Sequence, residues 1–134
     1  MTAYAIPFNK NDMSRKIFFI EDEPELVRLL RLMLERYGYI VEGSHTLSDA
    51  REKLAQVQPD LVLLDLHLTD ATQIEVLDWA KGPVGVKNIP VLFLTGDLTI
   101  KSWLDHTPAP HLKGMISKPF SYKQLLLDID AALV

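Results

Sequence analysis

Between residues 59 and 68 the chain reads Pro59-Asp60-Leu61-Val62-Leu63-Leu64-Asp65-Leu66-His67-Leu68, and this stretch constrains the fold more than any other. A short apolar run unbroken by Gly or Pro suits a strand buried on both faces, as in the centre of a parallel sheet. The run leads to a single carboxylate, Asp65, where the strand is about to end. In open α/β sheets the carboxyl ends of the strands are where ligands bind and chemistry is done. A carboxylate in that place is costly unless a cation or hydrogen bonds offset it.

The remainder of the chain is consistent with one such sheet. Its 134 residues suit a single domain that buries roughly two thirds of its unfolded surface. Lys and Arg number 14 against 18 Asp and Glu, a net charge of −4, and no basic cluster runs along any stretch, which disfavours direct nucleic-acid binding. There are no cysteines, so disulfides and thiolate metal sites are excluded. No run approaches the roughly 20 apolar residues of a membrane span, and residues 1–14 lack an apolar stretch of signal-peptide length. The expected location is cytoplasmic.

Residues 1–14 read as an N-terminal tail, docked in part through Tyr4, Ile6 and Phe8, and residues 15–134 as the domain. Ile17-Phe18-Phe19-Ile20 is a β-favouring run that stops at Glu21-Asp22-Glu23. Pro24 then opens a helix in which Leu26, Leu29, Leu30, Met33 and Tyr37 repeat at helical spacing, closed by Gly38. Tyr39 to Glu42 is a second strand. Thr46-Leu47-Ser48-Asp49 caps a helix with Leu47, Ala50, Leu54 and Val57 on one face, which Pro59 ends.

After the central strand, Thr72-Gln73-Ile74-Glu75 caps a third helix, broken by Gly82-Pro83-Val84-Gly85. Residues 90–94 form a fourth strand ending at Thr95-Gly96-Asp97, and a short helix over roughly 98–105 follows. Met115-Ile116-Ser117 is a fifth strand ending at Lys118-Pro119. Ser121-Tyr122-Lys123-Gln124 is a capping box for the last helix, with Leu125, Leu126, Ile129 and Leu133 on its buried face. Five strands alternate with five helices. The fold class is α/β: a flavodoxin-like, doubly wound (βα)5 three-layer sandwich with a parallel sheet of order 2-1-3-4-5.

In that order the first and third strands are neighbours at the switch point, and Glu21, Asp22 and Asp65 form one acidic pocket. Clustered carboxylates repel each other and invite a hard divalent cation, Mg²⁺ first among them. Thr95 adds a hydroxyl and Lys118 an ammonium. Cation, hydroxyl and ammonium are what is needed to hold a phosphoryl group while a carboxylate attacks it. Taken singly, each residue has a plainer reading: Asp65 as a helix cap or surface carboxylate, Thr95 as turn chemistry, Lys118 as a solvated side chain. His45, His106 and His111 lack ligand spacing and read as surface residues, and Trp79 and Trp103 as packing or partner contacts.

Four motifs in order, Phe19-Ile20-Glu21-Asp22-Glu23-Pro24, Pro59 to Leu66, Leu94-Thr95-Gly96 and Ser117-Lys118-Pro119-Phe120, make the chain resemble a response-regulator receiver domain of two-component signalling over about residues 15–134. The resemblance implies that Asp65 is the phosphoacceptor, Asp22 a direct Mg²⁺ ligand and Glu21 a holder of the metal's water shell. It further implies that the His67 backbone carbonyl completes the metal shell, that Thr95 bonds a phosphoryl oxygen, that Lys118 pairs with the phosphoryl charge, and that the peptide before Pro119 is cis. The implied activity is that of a phosphoacceptor, which catalyses only its own phosphorylation and dephosphorylation. The implied partners are a histidine kinase or phosphotransfer protein as donor, and a downstream protein or second copy on the face made by the fourth helix, fifth strand and fifth helix. Trp103 and Met115 would be that face's apolar contacts, with Lys101 and Lys123 at its rim.

Several positions depart from the family pattern. The loop after the acceptor usually carries Pro and two Gly, and here reads Thr69-Asp70-Ala71-Thr72-Gln73, with Gln73 where a Gly commonly allows positive φ. Glu21 stands for the commoner Asp, Met115 for the usual Tyr or Phe, and His111-Leu112 for the usual Gly-Ala. The alternative readings are a receiver-like binding scaffold without regulated phosphorylation, and an Asp-nucleophile phosphohydrolase, for which the Asp-x-Asp pattern fails at His67.

Overall fold

Residues 61–65 are the middle strand of a five-stranded sheet in the computed structural model, which describes residues 15–82 and 88–133, and every one of the five is buried. In chain order the elements are β1 (Lys16–Ile20), α1 (Pro24–Arg36), β2 (Ile40–Ser44), α2 (Leu47–Val57), β3 (Leu61–Asp65), α3 (Gln73–Lys81), β4 (Val91–Thr95), α4 (Ile100–Asp105), β5 (Leu112–Ser117) and α5 (Tyr122–Leu133). All pairings are parallel and the strand order is β2-β1-β3-β4-β5. The expected docking of Tyr4, Ile6 and Phe8, and the Pro83-Val84-Gly85 part of the expected break after α3, lie outside the described residues.

Alternation along the strands divides the core into two layers. Phe18, Ile20, Val62, Leu64 and Phe93 point toward α2, α3 and α4, meeting Ala50, Leu54, Val76, Trp79, Ala80 and Ile100. Ile17, Phe19, Leu61, Leu63, Leu92 and Leu94 point the other way, meeting Leu30 and Leu34 of α1 and Leu125, Leu126 and Ile129 of α5. Near-continuous apolar strands are required because both faces of the sheet are covered.

The structure corrects several local readings. The buried stripe of α1 runs through Leu30 and Leu34, while Leu29 is 47 % exposed. A helix laid across a twisted sheet buries a narrow arc, and Leu29 falls at its solvent side. At α5 the Ser121 hydroxyl accepts from Gln124 N at 3.0 Å, but the Gln124 amide donates forward to Asp128 at 2.9 Å, so the box has only its first half. The complete box is at α3, where Thr72 N–H donates to Glu75 Oε1 and Glu75 N–H to Thr72 Oγ1.

β5 begins at Leu112, three residues before the expected start, because Val91 pairs with Leu112 and Leu92 with Gly114, and Gly114 takes a φ of +140° at this irregularity. His111 is half-buried, and its Nε2 is 2.7 Å from the Ala80 carbonyl at the end of α3; it ties two elements together. Trp79 is buried, and Trp103 packs edge-on against Phe93.

β2 is one edge of the sheet. Ile40 N–H and Ser44 C=O pair toward β1, with Arg15 O and Glu21 N, so Val41 and Gly43 turn their peptide groups outward. Arg31 Nη1 donates to Val41 O at 3.0 Å and Lys53 Nζ to Gly43 O at 3.4 Å. Phe19 lies against Gly43 across the β1–β2 pair, and the Arg31 guanidinium sits 5.7 Å over the Phe19 ring.

Candidate functional site

The register of the sheet decides what meets at its carboxyl edge. Ile20 pairs with Leu64, so Glu21 and Asp65 leave β1 and β3 side by side; Asp65 pairs with Leu94, and Thr95 pairs with Ser117. Four strands therefore deliver Glu21, Asp65, Thr95 and Lys118 to one pocket. Glu21 is 1 % exposed, Asp65 2 % and Thr95 0 %, while Asp22 lies half-exposed at the rim. One carboxylate oxygen from each of Glu21, Asp22 and Asp65 lies within 4.8 Å of the others.

Lys118 neutralises part of this charge. Its Nζ donates to Glu21 Oε1 at 2.9 Å and sits 3.4 Å from Asp65 Oδ1. The Lys118–Pro119 peptide is cis, as the resemblance implied, and Lys118 N–H donates to Thr95 O at 2.9 Å. Backbone donors add to these contacts: Glu23 N–H on Glu21 Oε2 at 3.2 Å, His67 N–H on Asp65 Oδ1 at 3.0 Å, and Thr69 N–H on Asp22 Oδ2 at 3.0 Å. Thr95 Oγ1 accepts from Asp97 N–H at 2.9 Å, which leaves its proton as a donor.

Of the sequence candidates, Glu21, Asp22, Asp65 and Lys118 are brought together by these contacts, and Thr95 ends the adjoining strand. The His67 side chain is exposed; its part in the pocket is through its backbone. Sequence reasoning missed Thr69 and Asp70. Thr69 acts through a main-chain N–H, which has no side-chain signature, and Asp70 reaches the start of α2, accepting from Leu47 N–H at 2.9 Å and Ser48 N–H at 3.0 Å. Gln73, which replaces the family's common Gly, does not take a positive φ; it begins α3 under the Thr72 cap.

Burial raises the Glu21 carboxyl from 4.5 to about 6; the charge of Asp65 pushes the same way and the bond from Lys118 pulls back. Burial alone would lower Lys118, but the bond to Glu21 and the charge of Asp65 outweigh it and hold the ammonium above its ordinary value. A group raised in the folded state contributes stability that is complete below its unfolded value and is lost as pH rises through its folded value. For Glu21 that window runs from 4.5 to about 6. Without metal, the parent's stability should fall relative to Glu21→Gln across this window, by on the order of 2 kcal/mol. Urea unfolding of both proteins at the two ends of the window measures this, and an unchanged difference between them would refute it.

The donor set fits a hard divalent cation. All the side-chain donors are carboxylate oxygens, two are buried, and a single ammonium offsets three negative charges.

A family model described as the response regulator receiver domain matches residues 17–130. The polar-differentiation response regulator DivK of Brucella ovis is 26 % identical over 121 residues, covering 90 % of this chain and 98 % of DivK. The transcriptional regulatory protein VxrB of Vibrio cholerae is 30 % identical over 122 residues, 90 % of this chain but 47 % of VxrB. Among solved structures, the chemotaxis protein CheY4 of Vibrio cholerae matches with a TM-score of 0.76 at 22 % identity, covering 90 % of this chain and 99 % of that one, a likeness of fold. Strand order, site geometry and the family match agree, and the chain belongs to the response regulator receiver domain family.

Proposed function

We propose that this chain is a phosphorylatable receiver of a two-component phosphorelay, with residues 15–134 as the receiver domain and Asp65 as the acceptor. The observation that carries this reading is the meeting of Glu21, Asp22 and Asp65 within 4.8 Å, with Lys118 bridging Glu21 and Asp65. An oxygen of Asp65 attacks the phosphorus of a phosphohistidine donor on a histidine kinase or phosphotransfer protein. The P–O bond forms as the P–N bond breaks, and the imidazole leaves with the electron pair. Lys118 Nζ, 3.4 Å from Asp65 Oδ1 in the resting site, pairs with the incoming phosphoryl charge, and the Thr95 hydroxyl donates to a phosphoryl oxygen. Glu21, Asp22, Asp65 and the His67 carbonyl are the groups that would hold Mg²⁺, which when bound neutralises charge on the phosphoryl oxygens.

The chain acts on its own Asp65 and signals by protein contacts. The output face is α4, β5 and α5, open to a downstream partner or a second copy. Lys101 and Lys123 are exposed on it, and Trp103 and Met115 are half-buried, with part of each side chain packed on the core. No described helix is long and apolar enough to cross a membrane, in keeping with a cytoplasmic receiver. A scaffold that binds without phosphorylation is the second reading, favoured by the unusual loop of residues 69–73. Intact mass after incubation with Mg²⁺ and acetyl phosphate separates them. A stable increment of one phosphate is expected; no increment favours the scaffold, and rapid turnover of donor without a stable increment favours a phosphohydrolase.

A further inference from the structure

We propose that the outer face of α1 pairs with the same face of a second copy of the chain, the two helices running antiparallel about a two-fold axis. This surface is separate from the α4, β5 and α5 face and goes beyond the phosphoacceptor reading.

Helical spacing puts Glu25, Leu29, Leu32 and Arg36 on one line along α1, within about 60° of arc. The line lies opposite the Leu30 and Leu34 stripe that meets the sheet. All four residues are exposed, Leu29 by 47 % and Leu32 by 61 %. Among the described residues, these are the only two large exposed hydrophobics that share a helix or strand; Ile40, Ile74, Leu98 and Leu127 stand singly elsewhere. Nor, among the described residues, does Glu25 or Arg36 have an ion-pair partner in its own chain. The helix dipole by itself favours an acid in the first turn and a base in the last. It gives no reason for two leucines between them, on the side turned away from the sheet.

The order of the four residues is its own complement. Glu25 and Arg36 lie equally far from the Leu30–Arg31 peptide, and so do Leu29 and Leu32. Turned end for end about that point, the helix sets Glu25 against Arg36 of the second copy and Leu29 against its Leu32. Each contact then occurs twice, as an isologous interface requires. Steps of four, three and four residues are those of the seam between helices that pack lengthwise. Beside the seam Arg28 faces Glu35 of the second copy, again a base against an acid. A parallel pairing would oppose Glu25 to Glu25 and Arg36 to Arg36. The leucines supply the contact, and the charges fix its direction and register. One helix face buries less than the roughly 1,200 Å² of a lasting interface, so the dimer is weak and depends on concentration.

The test is sedimentation of the whole chain over a concentration series at low salt. The variants are Glu25→Arg, Arg36→Glu, the two reversals together, and Leu29→Ser with Leu32→Ser. The parent should dimerise as concentration rises, and the leucine variant should stay monomeric. Each single reversal should weaken self-association at least about tenfold, because it sets like charges together at both ends of the seam. An equal mixture of the two single variants should dimerise as the parent does, since every opposed pair in the mixed dimer is again an acid and a base. The variant with both reversals should also dimerise, although it sets both charges against the helix dipole, a recovery that a purely structural role would not give. A parent that stays monomeric at every concentration would overturn the pairing. So would a dimer that survives the leucine and single charge changes, or a mixture that stays monomeric.

Discussion

Asp65→Asn should take up no phosphoryl group under conditions in which the parent does, and should keep its fold. The amide is nearly the same shape, and its oxygen still accepts from His67 N–H as Asp65 Oδ1 does at 3.0 Å. What it lacks is the electron density to attack phosphorus. Intact mass should show the loss as complete at every time point, against one phosphate in the parent. In the absence of Mg²⁺ the thermal midpoint should not fall, because removing one of three clustered carboxylates relieves repulsion and this offsets the lost attraction to Lys118. Label on the Asn variant at the parent's rate would move the acceptor elsewhere. A marked drop in midpoint would give Asp65 a structural role that its contacts do not suggest.

The second large effect is steric and far from the chemistry. A Cβ added at Gly43 would overlap the distal half of the Phe19 ring, at the atoms Cζ, Cε1 and Cε2. The ring has nowhere to retreat: Phe19 is 1 % exposed, and the Arg31 guanidinium lies over it while bonded to Val41 O. Overpacking of this kind costs about 1–3 kcal/mol and occasionally more. Gly43→Ala should therefore lose about 3 kcal/mol of unfolding free energy, well beyond the ~0.4–1 kcal/mol that replacing a glycine returns through the unfolded chain. Gly43→Val should fail to reach the native state. Pairing Gly43→Ala with Phe19→Leu should recover part of the loss, since contacting residues do not contribute additively. Urea denaturation of the two single variants and the double decides, and a Gly43→Ala protein as stable as the parent would show that the packing is wrong.

Strand-end chemistry was legible because it is written in side chains. Glu21, Asp65 and Thr95 each follow an apolar run directly and Lys118 follows one after Ser117, and the parallel order brings such ends together whatever the helices do. The Leu61–Asp65 run identified the centre of the sheet for the same reason: burial on both faces permits little but apolar residues there. What stayed hidden depends on orientation or on the backbone. The burial of Leu34 in place of Leu29 depends on which side of α1 the sheet covers, which helical spacing alone does not settle. Gln124 turns its side chain forward, where its Nε2 donates to Asp128 one turn on, and does not turn back to accept from the Ser121 N–H as a box requires. His111 has no ligand spacing, and only the tertiary fold brings the Ala80 carbonyl to its ring. The support of Asp22 by Thr69 leaves no trace in residue types, because the atom that gives it is common to every residue but proline.

The two basic side chains that α1 and α2 lay against β2 bear on how this protein behaves in a crowd. A bare edge strand offers unpaired peptide groups to any extended segment it meets, including the same strand of another copy. On β2 the outward carbonyls at Val41 and Gly43 already carry Arg31 and Lys53, one from each neighbouring helix. Gly43 can present no side chain of its own to shield the edge, since Phe19 fills that place, so Lys53 supplies the cover from outside the strand. An arriving strand would have to strip two cations from their acceptors before forming its first bonds, and would bring both positive charges into the new seam. Charge opposes sheet growth at β2, and the cover is carried by helices adjacent to the strand they guard.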